Sequence, residues 1–382
     1  MPVTNSPTES CCNLDVPSVH IEFSKSDRQT ILRRFDKCLR TGYLSQGHAV
    51  EEFEAAFAAY TGARYAVAVS SGSMAIEIAM RLLNVQHKIV LVPANAFFAT
   101  AVGPIRAGAE LRLVDIDPLT LSPSLDALEA AWEPDVTGLI VVHMGGIVSP
   151  CIAAIRAWCD AKGIWLFEDC AHAHGSRLDG CHAGRFGVAG AFSFFATKVI
   201  TGGEGGMLIT DGDEFANEAR LHRNLGKLDA WGSTHLRLGT NGRITEVGAL
   251  IGLVQLRRLD EFIALRQMIA EQYTDRLRNC AAVRPILPAG CSSWYKYPVL
   301  ILHDFDRQEL KLALRDRGIQ LAGEIYERPL HQQPALAHLF FGQHFQNAED
   351  VCRCHICLPI HTAMSGAQVD YVVGTIRQLL AA

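Results

Sequence analysis

The chain has 382 residues, 49% of them hydrophobic, with 40 acidic against 35 basic side chains and a formal net charge of -5. That length suffices for a large buried core, arranged as one big domain and a smaller one. The mixed charge, free of long basic runs, excludes an electrostatic groove for nucleic acid or a basic membrane face, so small molecules are the expected partners.

The first twenty residues, opening MPVTNSPTESCCNLDVP, read as unstructured. They carry no basic cluster followed by an apolar stretch, and no later run has the length of a membrane span, so a cytoplasmic protein is expected. In SSGSMAIEIAM (70–80), Ser71, Gly72 and Ser73 precede an apolar-periodic helix. Unpaired amides and the helix dipole there can hold a phosphate, although the serines could equally be plain N-caps. The runs KIVLVPA, LRLVDID, GLIVVHM, GIWLFED and GMLIT alternate with helical stretches such as SLDALEAAWE and CIAAIRAWCDAKG. This rhythm predicts a mostly parallel sheet covered by helices on both faces, with reactive groups gathered at strand ends.

Two such ends follow. In FEDCAHAHGS (167–176), Asp169 emerges from a buried strand. A protonated pyridine nitrogen beside it would keep it ionised, whereas a helix cap or an arginine partner would give it a purely structural role. In SFFATKVITGGEGGM (193–207), Lys198 sits where an aromatic, partly desolvated roof would lower its pKa and make it nucleophilic; a solvated surface lysine is the plain alternative. The TGGEGG turn lacks the GxGxxG spacing of a dinucleotide site.

From Thr245 to Leu277 the apolar spacing predicts one long amphipathic helix joining two domains. WYKYPVLIL, DRQELKLALRDRG and VDYVVGTIRQLL then predict a smaller α/β domain. The expected divisions are a disordered 1–20, a large domain over 21–250, and a linking helix with the small domain over 251–382. The twelve cysteines are expected to be free. CRCHICLPI reads as an extended segment with Cys352, Cys354 and Ile356 on one face; Cys352, Cys354, His355 and Cys357 lack a second ligand pair at zinc spacing, so no metal is expected. An anion cradle, a buried acid and an amine are the parts that a phosphorylated pyridine aldehyde requires.

In this order the residues resemble the DegT-type family of sugar aminotransferases, which have the aspartate-aminotransferase fold, or fold type I. The likeness runs through TGYLSQGHAVEEFEAAFAAYTGARYAVAVSSGSMAI, VPANAFFATA, VDIDPLTLSPSLDALEAA, TNGRITEVGALIGLVQLRRLDEF, PLHQQPAL and LPIHTAMSGAQVDYVV, nearly the whole chain after residue 40. It implies an α/β, pyridoxal-phosphate-dependent transferase, with pyridoxal 5'-phosphate as cofactor and pyridoxamine 5'-phosphate as its aminated form. By the same resemblance Lys198 is the Schiff-base lysine and Asp169 the partner of the pyridine nitrogen. Ser73, the backbone amide of Met74, and Ser193 are phosphate contacts, and Phe97 stacks on the ring. Asn241 corresponds to an asparagine that reaches the neighbouring subunit's phosphate, implying a homodimer with active sites at the subunit interface. His172 stands where the family commonly has glutamine, and a neutral imidazole can still donate one hydrogen bond to the ring hydroxyl. His174 matches a histidine that recurs in the family, and His331 matches a segment near the acceptor. GSM replaces the more usual GTA, and TNGR a tyrosine-containing version.

The implied reaction moves an amino group from glutamate or glutamine to a keto sugar, a nucleotide-linked keto-deoxysugar. A keto-cyclitol or keto-sugar phosphate of antibiotic biosynthesis stays open as the acceptor. A dehydratase of the same fold has histidine in place of the lysine, which Lys198 argues against. An inactive scaffold would have no use for Lys198, Asp169, Ser193 and Asn241 together.

Overall fold

The computed structural model describes residues 14–228, 232–321 and 323–380. Its larger sheet takes strands β1 (Tyr65–Val69), β2 (Ile89–Pro93), β3 (Glu110–Val114), β4 (Val136–Val142) and β5 (Trp165–Asp169). A short hairpin, β6 (Arg177–Leu178) and β7 (Cys181–His182), precedes its last two members, β8 (Ala189–Ser193) and β9 (Gly206–Thr210). The seven strands lie in the order β1-β9-β8-β5-β4-β2-β3. From β8 to β3 every neighbouring pair is parallel, while β9 runs antiparallel to both β1 and β8.

Strands buried on both faces send alternate side chains into two cores. Leu139 and Val141 of β4 enter one, with the helices His48–Thr61, Ile152–Lys162 and Glu246–Leu256. Ile140 and Val142 enter the other, with the helices Gly72–Leu82, Phe98–Arg106 and Asp213–Arg223. A second sheet, antiparallel, joins β10 (Val283–Pro285), β11 (Tyr297–Ile301) and β12 (His355–Leu358). It packs with the helices Leu259–Leu277 and Gly366–Leu380 around Tyr273, Tyr297, Val299, Ile356 and Val372. No helix among the described residues is long and apolar enough to cross a membrane.

Three sequence expectations are corrected. The single helix over Thr245–Leu277 is two, Glu246–Leu256 and Leu259–Leu277. Apolar spacing continues across the break, but Arg258 leaves helical geometry there and bonds Glu22, Asp27 and Glu261. Cys352 and Cys354 lie on the helix Gln346–Cys354, so only the second half of CRCHICLPI is a strand. His355 in that stretch spends both ring nitrogens on backbone: Nδ1 donates to the Val351 carbonyl (2.6 Å) and Nε2 accepts from the Ile325 amide (3.0 Å). Within the segment expected to be unstructured, residues 1–13 lie outside the described residues, but Val16 is fully buried and forms a parallel bridge with Ile319. Its amide donates to the Gly318 carbonyl (2.8 Å) and its carbonyl accepts from the Gln320 amide (2.9 Å).

Candidate active site

A cavity of about 260 Å³ opens at the carboxyl ends of the parallel strands, lined by residues that include Ser73, Phe97, Asp169, His172, Ser193 and Lys198. Each arrives for a local reason. Ser71 caps the helix Gly72–Leu82 by accepting the Met74 amide on its side chain (3.1 Å), which aims the first turn of that helix, with Ser73, into the cavity. Gly72 permits this approach, because a Cβ there would lie 2.9 Å from the Ser193 Cβ at the end of β8. Phe97 is the N-cap of the helix Phe98–Arg106 and is 53% exposed, with its ring stacked on Tyr326 at 5.6 Å.

Asp169 ends β5. One carboxylate oxygen accepts the Thr100 hydroxyl at 2.6 Å and the other the Ala171 amide at 3.1 Å. Burial pushes this carboxyl up, outweighing those two bonds and the nearby charges of Lys198 and His143. A buried acid so placed is completed by a cation. His172 is 7% exposed and accepts the Gly145 amide on Nδ1 (3.3 Å), so its proton resides on Nε2. Burial, with help from Lys198, pushes it well below the usual histidine range and keeps it neutral. Its ring lies 4.4 Å from that of Tyr295.

Lys198 is part-buried, with Nζ 4.7 Å from the centre of the Tyr295 ring. Burial lowers its pKa, while Tyr295 and Asp169 pull the other way. The aromatic roof over this lysine is therefore built largely by Tyr295, far away in sequence; Phe195 of SFFAT also lines the cavity. Behind Asp169, Glu168 is held by His143 (2.8 Å) and by the amides of Gly184, Phe186 and Gly187 at 2.6–2.7 Å. His143, Glu168 and Cys170 come together, but this bonding already occupies both oxygens of the carboxylate. His174 is buried against Phe192 and Phe194, and burial takes its pKa down to about 3.

The remaining sequence candidates lie elsewhere. The Met74 amide is engaged by the Ser71 hydroxyl. Asn241 is exposed and does not line this cavity. His331 is 6% exposed, bonded through Nε2 to Glu349 (3.0 Å) and packed on Phe345, and does not line it either. Tyr326, a few residues upstream, lines the cavity instead, and Thr100, Glu204 and Tyr295 complete the set that motif reading missed. VPANAFFATA and PLHQQPAL place the chain near Thr100 and Tyr326 but do not single them out.

A lysine amine, a buried carboxylate and a helix N-terminus converging at strand ends define an α/β enzyme of the pyridoxal-phosphate class. The chain belongs to the DegT/DnrJ/EryC1/StrS aminotransferase family, whose pattern matches residues 25–377. It is 32% identical over 356 residues to the pleiotropic regulatory protein of Geobacillus stearothermophilus, covering 91% of this chain and 94% of that one. It is 30% identical over 379 residues to GDP-perosamine synthase of Caulobacter vibrioides, covering 96% and 99%. The crystal structure of the aminotransferase TlmJ from Streptoalloteichus hindustanus superposes with a TM-score of 0.86 at 31% identity, covering 96% of this chain and 99% of that one. The protein is thus a pyridoxal-phosphate-dependent aminotransferase.

Proposed function

We propose that this aminotransferase moves an amino group from glutamate or glutamine to the ketone of a nucleotide-linked deoxysugar. The single observation carrying the reading is the part-buried Lys198 amine in one cavity with Asp169 and the start of the Gly72–Leu82 helix. The likeness to GDP-perosamine synthase supports the nucleotide-sugar acceptor.

The residues present fit pyridoxal phosphate. Ser73, Ser193 and the first turn of the Gly72 helix would hold the phosphate, Asp169 the ring nitrogen, Nε2 of His172 the ring hydroxyl, and Phe97 one face of the ring. When bound, this cofactor supplies an aldehyde that joins amines and a protonated pyridine that withdraws electrons. Asp169 holds the proton on the ring nitrogen. Nζ of Lys198, its pKa lowered by burial, takes the α-proton of the amino donor and later returns a proton to the sugar carbon that bore the ketone. His172, neutral, donates a hydrogen bond without adding charge. Tyr326 and Phe97 exclude water on the acceptor side.

In this reading residues 21–250 carry the cofactor, and 251–382 close the acceptor side through Tyr295 and Tyr326. The enzyme acts in the cytoplasm, which agrees with free thiols at every cysteine among the described residues. It works as a homodimer: Leu228 and Leu238 are 77% and 96% exposed beside the exposed Asn241, as suits a segment that packs on a second copy and offers Asn241 to its phosphate.

Lys198→Ala tests the assignment. The purified wild type should be yellow and should bleach with glutamate, whereas the variant should keep the melting transition, lose the visible band and lose turnover. Full activity in the variant would refute the reading.

A further inference from the structure

We propose that the Tyr295 phenol oxygen is the acid–base partner of the Lys198 amine: as the phenolate it takes a proton from the lysine ammonium before each proton abstraction, and it returns one once the lysine has handed the abstracted proton on. The inference rests on the reading of Lys198 as the reactive amine. The step balances: an N–H bond of Lys198 breaks, an O–H bond of Tyr295 forms, and no electrons change hands.

Position is the first argument. The lysine Nζ lies 4.7 Å from the Tyr295 ring centre, and the phenol oxygen reaches the Thr197 hydroxyl at 3.4 Å, one residue before the lysine. The ring is clamped on three sides. Fully buried Arg266 donates to the Trp294 carbonyl at 3.0 Å, the Lys296 amide donates to the Gly145 carbonyl at 3.1 Å, and the His172 ring lies 4.4 Å away. Gly145 also donates its amide to His172, so one residue bonds His172 and the residue after Tyr295. A tyrosine immobilised on both flanks beside a reactive amine is preorganised for proton exchange.

The surrounding charges agree. Burial drives the phenol up, but Lys198, Lys296 and the Thr197 hydrogen bond outweigh it and leave the phenol below its ordinary value. Burial lowers the lysine as well, while Tyr295 and Asp169 pull it the other way. Cys357, Arg266 and Tyr326 also face the phenol, and Asp169, His172, His174 and Lys296 face the amine. Tyr295 lies against the amine, and its ring is also tilted against that of His172.

Tyr295→Phe keeps the ring and removes the hydroxyl. In the pyridoxamine phosphate form of the full-length enzyme Lys198 is free, so brief acetic anhydride labelling across pH, read by mass spectrometry of the Lys198 peptide, reports its protonation. The half-labelling pH should fall by about one unit, because the ammonium loses an anionic, hydrogen-bonding partner. kcat should drop by about a hundredfold with little change in KM. Tyr295→His, which restores a titrating hydrogen-bonding group, should recover part of the turnover and still label differently from wild type. An unchanged labelling pH in whichever variant keeps the wild-type melting transition overturns the proposal, as does a Tyr295→His enzyme no faster than Tyr295→Phe. Failure of the underlying reading looks different: the wild type would lack the visible band, and Lys198 would label equally with and without cofactor.

Discussion

The wall behind Asp169 and the segment around Leu228 and Leu238 sit at opposite extremes of completeness. Behind Asp169 the acidic groups and His172 are partnered within the chain: Thr100 and Ala171 bond its carboxylate, Gly145 bonds His172, and three amides with His143 bond Glu168. Leu225, Leu228, Leu236 and Leu238 are exposed, and Asn241 is exposed and does not line the cavity. One region is closed by folding; the other leaves apolar side chains exposed. In the proposed homodimer the electronic machinery lies within one chain, and the neighbour adds a phosphate contact from outside.

Acid should break the finished wall first and with the largest effect. Burial depresses the pKa of His172, of His174 to about 3, and of His182 and His355 to about 4, from an ordinary value of 6.5. These groups bind fewer protons folded than unfolded, so stability falls as pH drops below about 6.5 and keeps falling toward the folded values. At pH 5 each contributes up to about 2 kcal/mol of loss, opposed by Asp169, whose raised pKa works in the other direction. Urea midpoints measured from pH 7 to 5 should fall steeply, and a flat profile would contradict the buried neutral histidines. Next, Asp169→Asn should lower kcat by on the order of a hundredfold or more while the visible band persists, since the electrostatic partner is lost but the Schiff base is not. Steady-state kinetics beside absorbance spectra would check it. The smallest effect belongs to the open segment: Leu238→Asp should weaken self-association by roughly ten- to a hundredfold, from the ~1.5–3 kcal/mol of one buried leucine. Sedimentation velocity over a dilution series would read it, and an unchanged profile would remove Leu238 from the proposed interface.

The same contrast explains what was legible in the sequence. Lys198, Asp169, His172, Ser73 and Ser193 stand at strand ends or at a helix start, where local pattern and position coincide. Tyr295 and Tyr326 were invisible because they reach Lys198 and the cavity wall from beyond residue 290, and no local spacing reports a contact made across the fold. Thr100 lies inside a helix that reads as ordinary packing, although its hydroxyl meets Asp169. The parallel sheet was readable from its doubly buried strands. The break at Arg257 and Arg258 was not, because the apolar period runs on while two distant carboxylates, with Glu261 three residues on, fix Arg258. Cys352 and Cys354 show that alternation over a few residues cannot separate a strand from the last turn of a helix.

The opening stretch of the chain acts as a strap. Val16 is bonded beside Ile319 near the smaller sheet, and Glu22 grips Arg258 at the joint between the two consecutive helices. A tether pinned at both points ties the smaller sheet to that joint and resists its swinging free of the larger one.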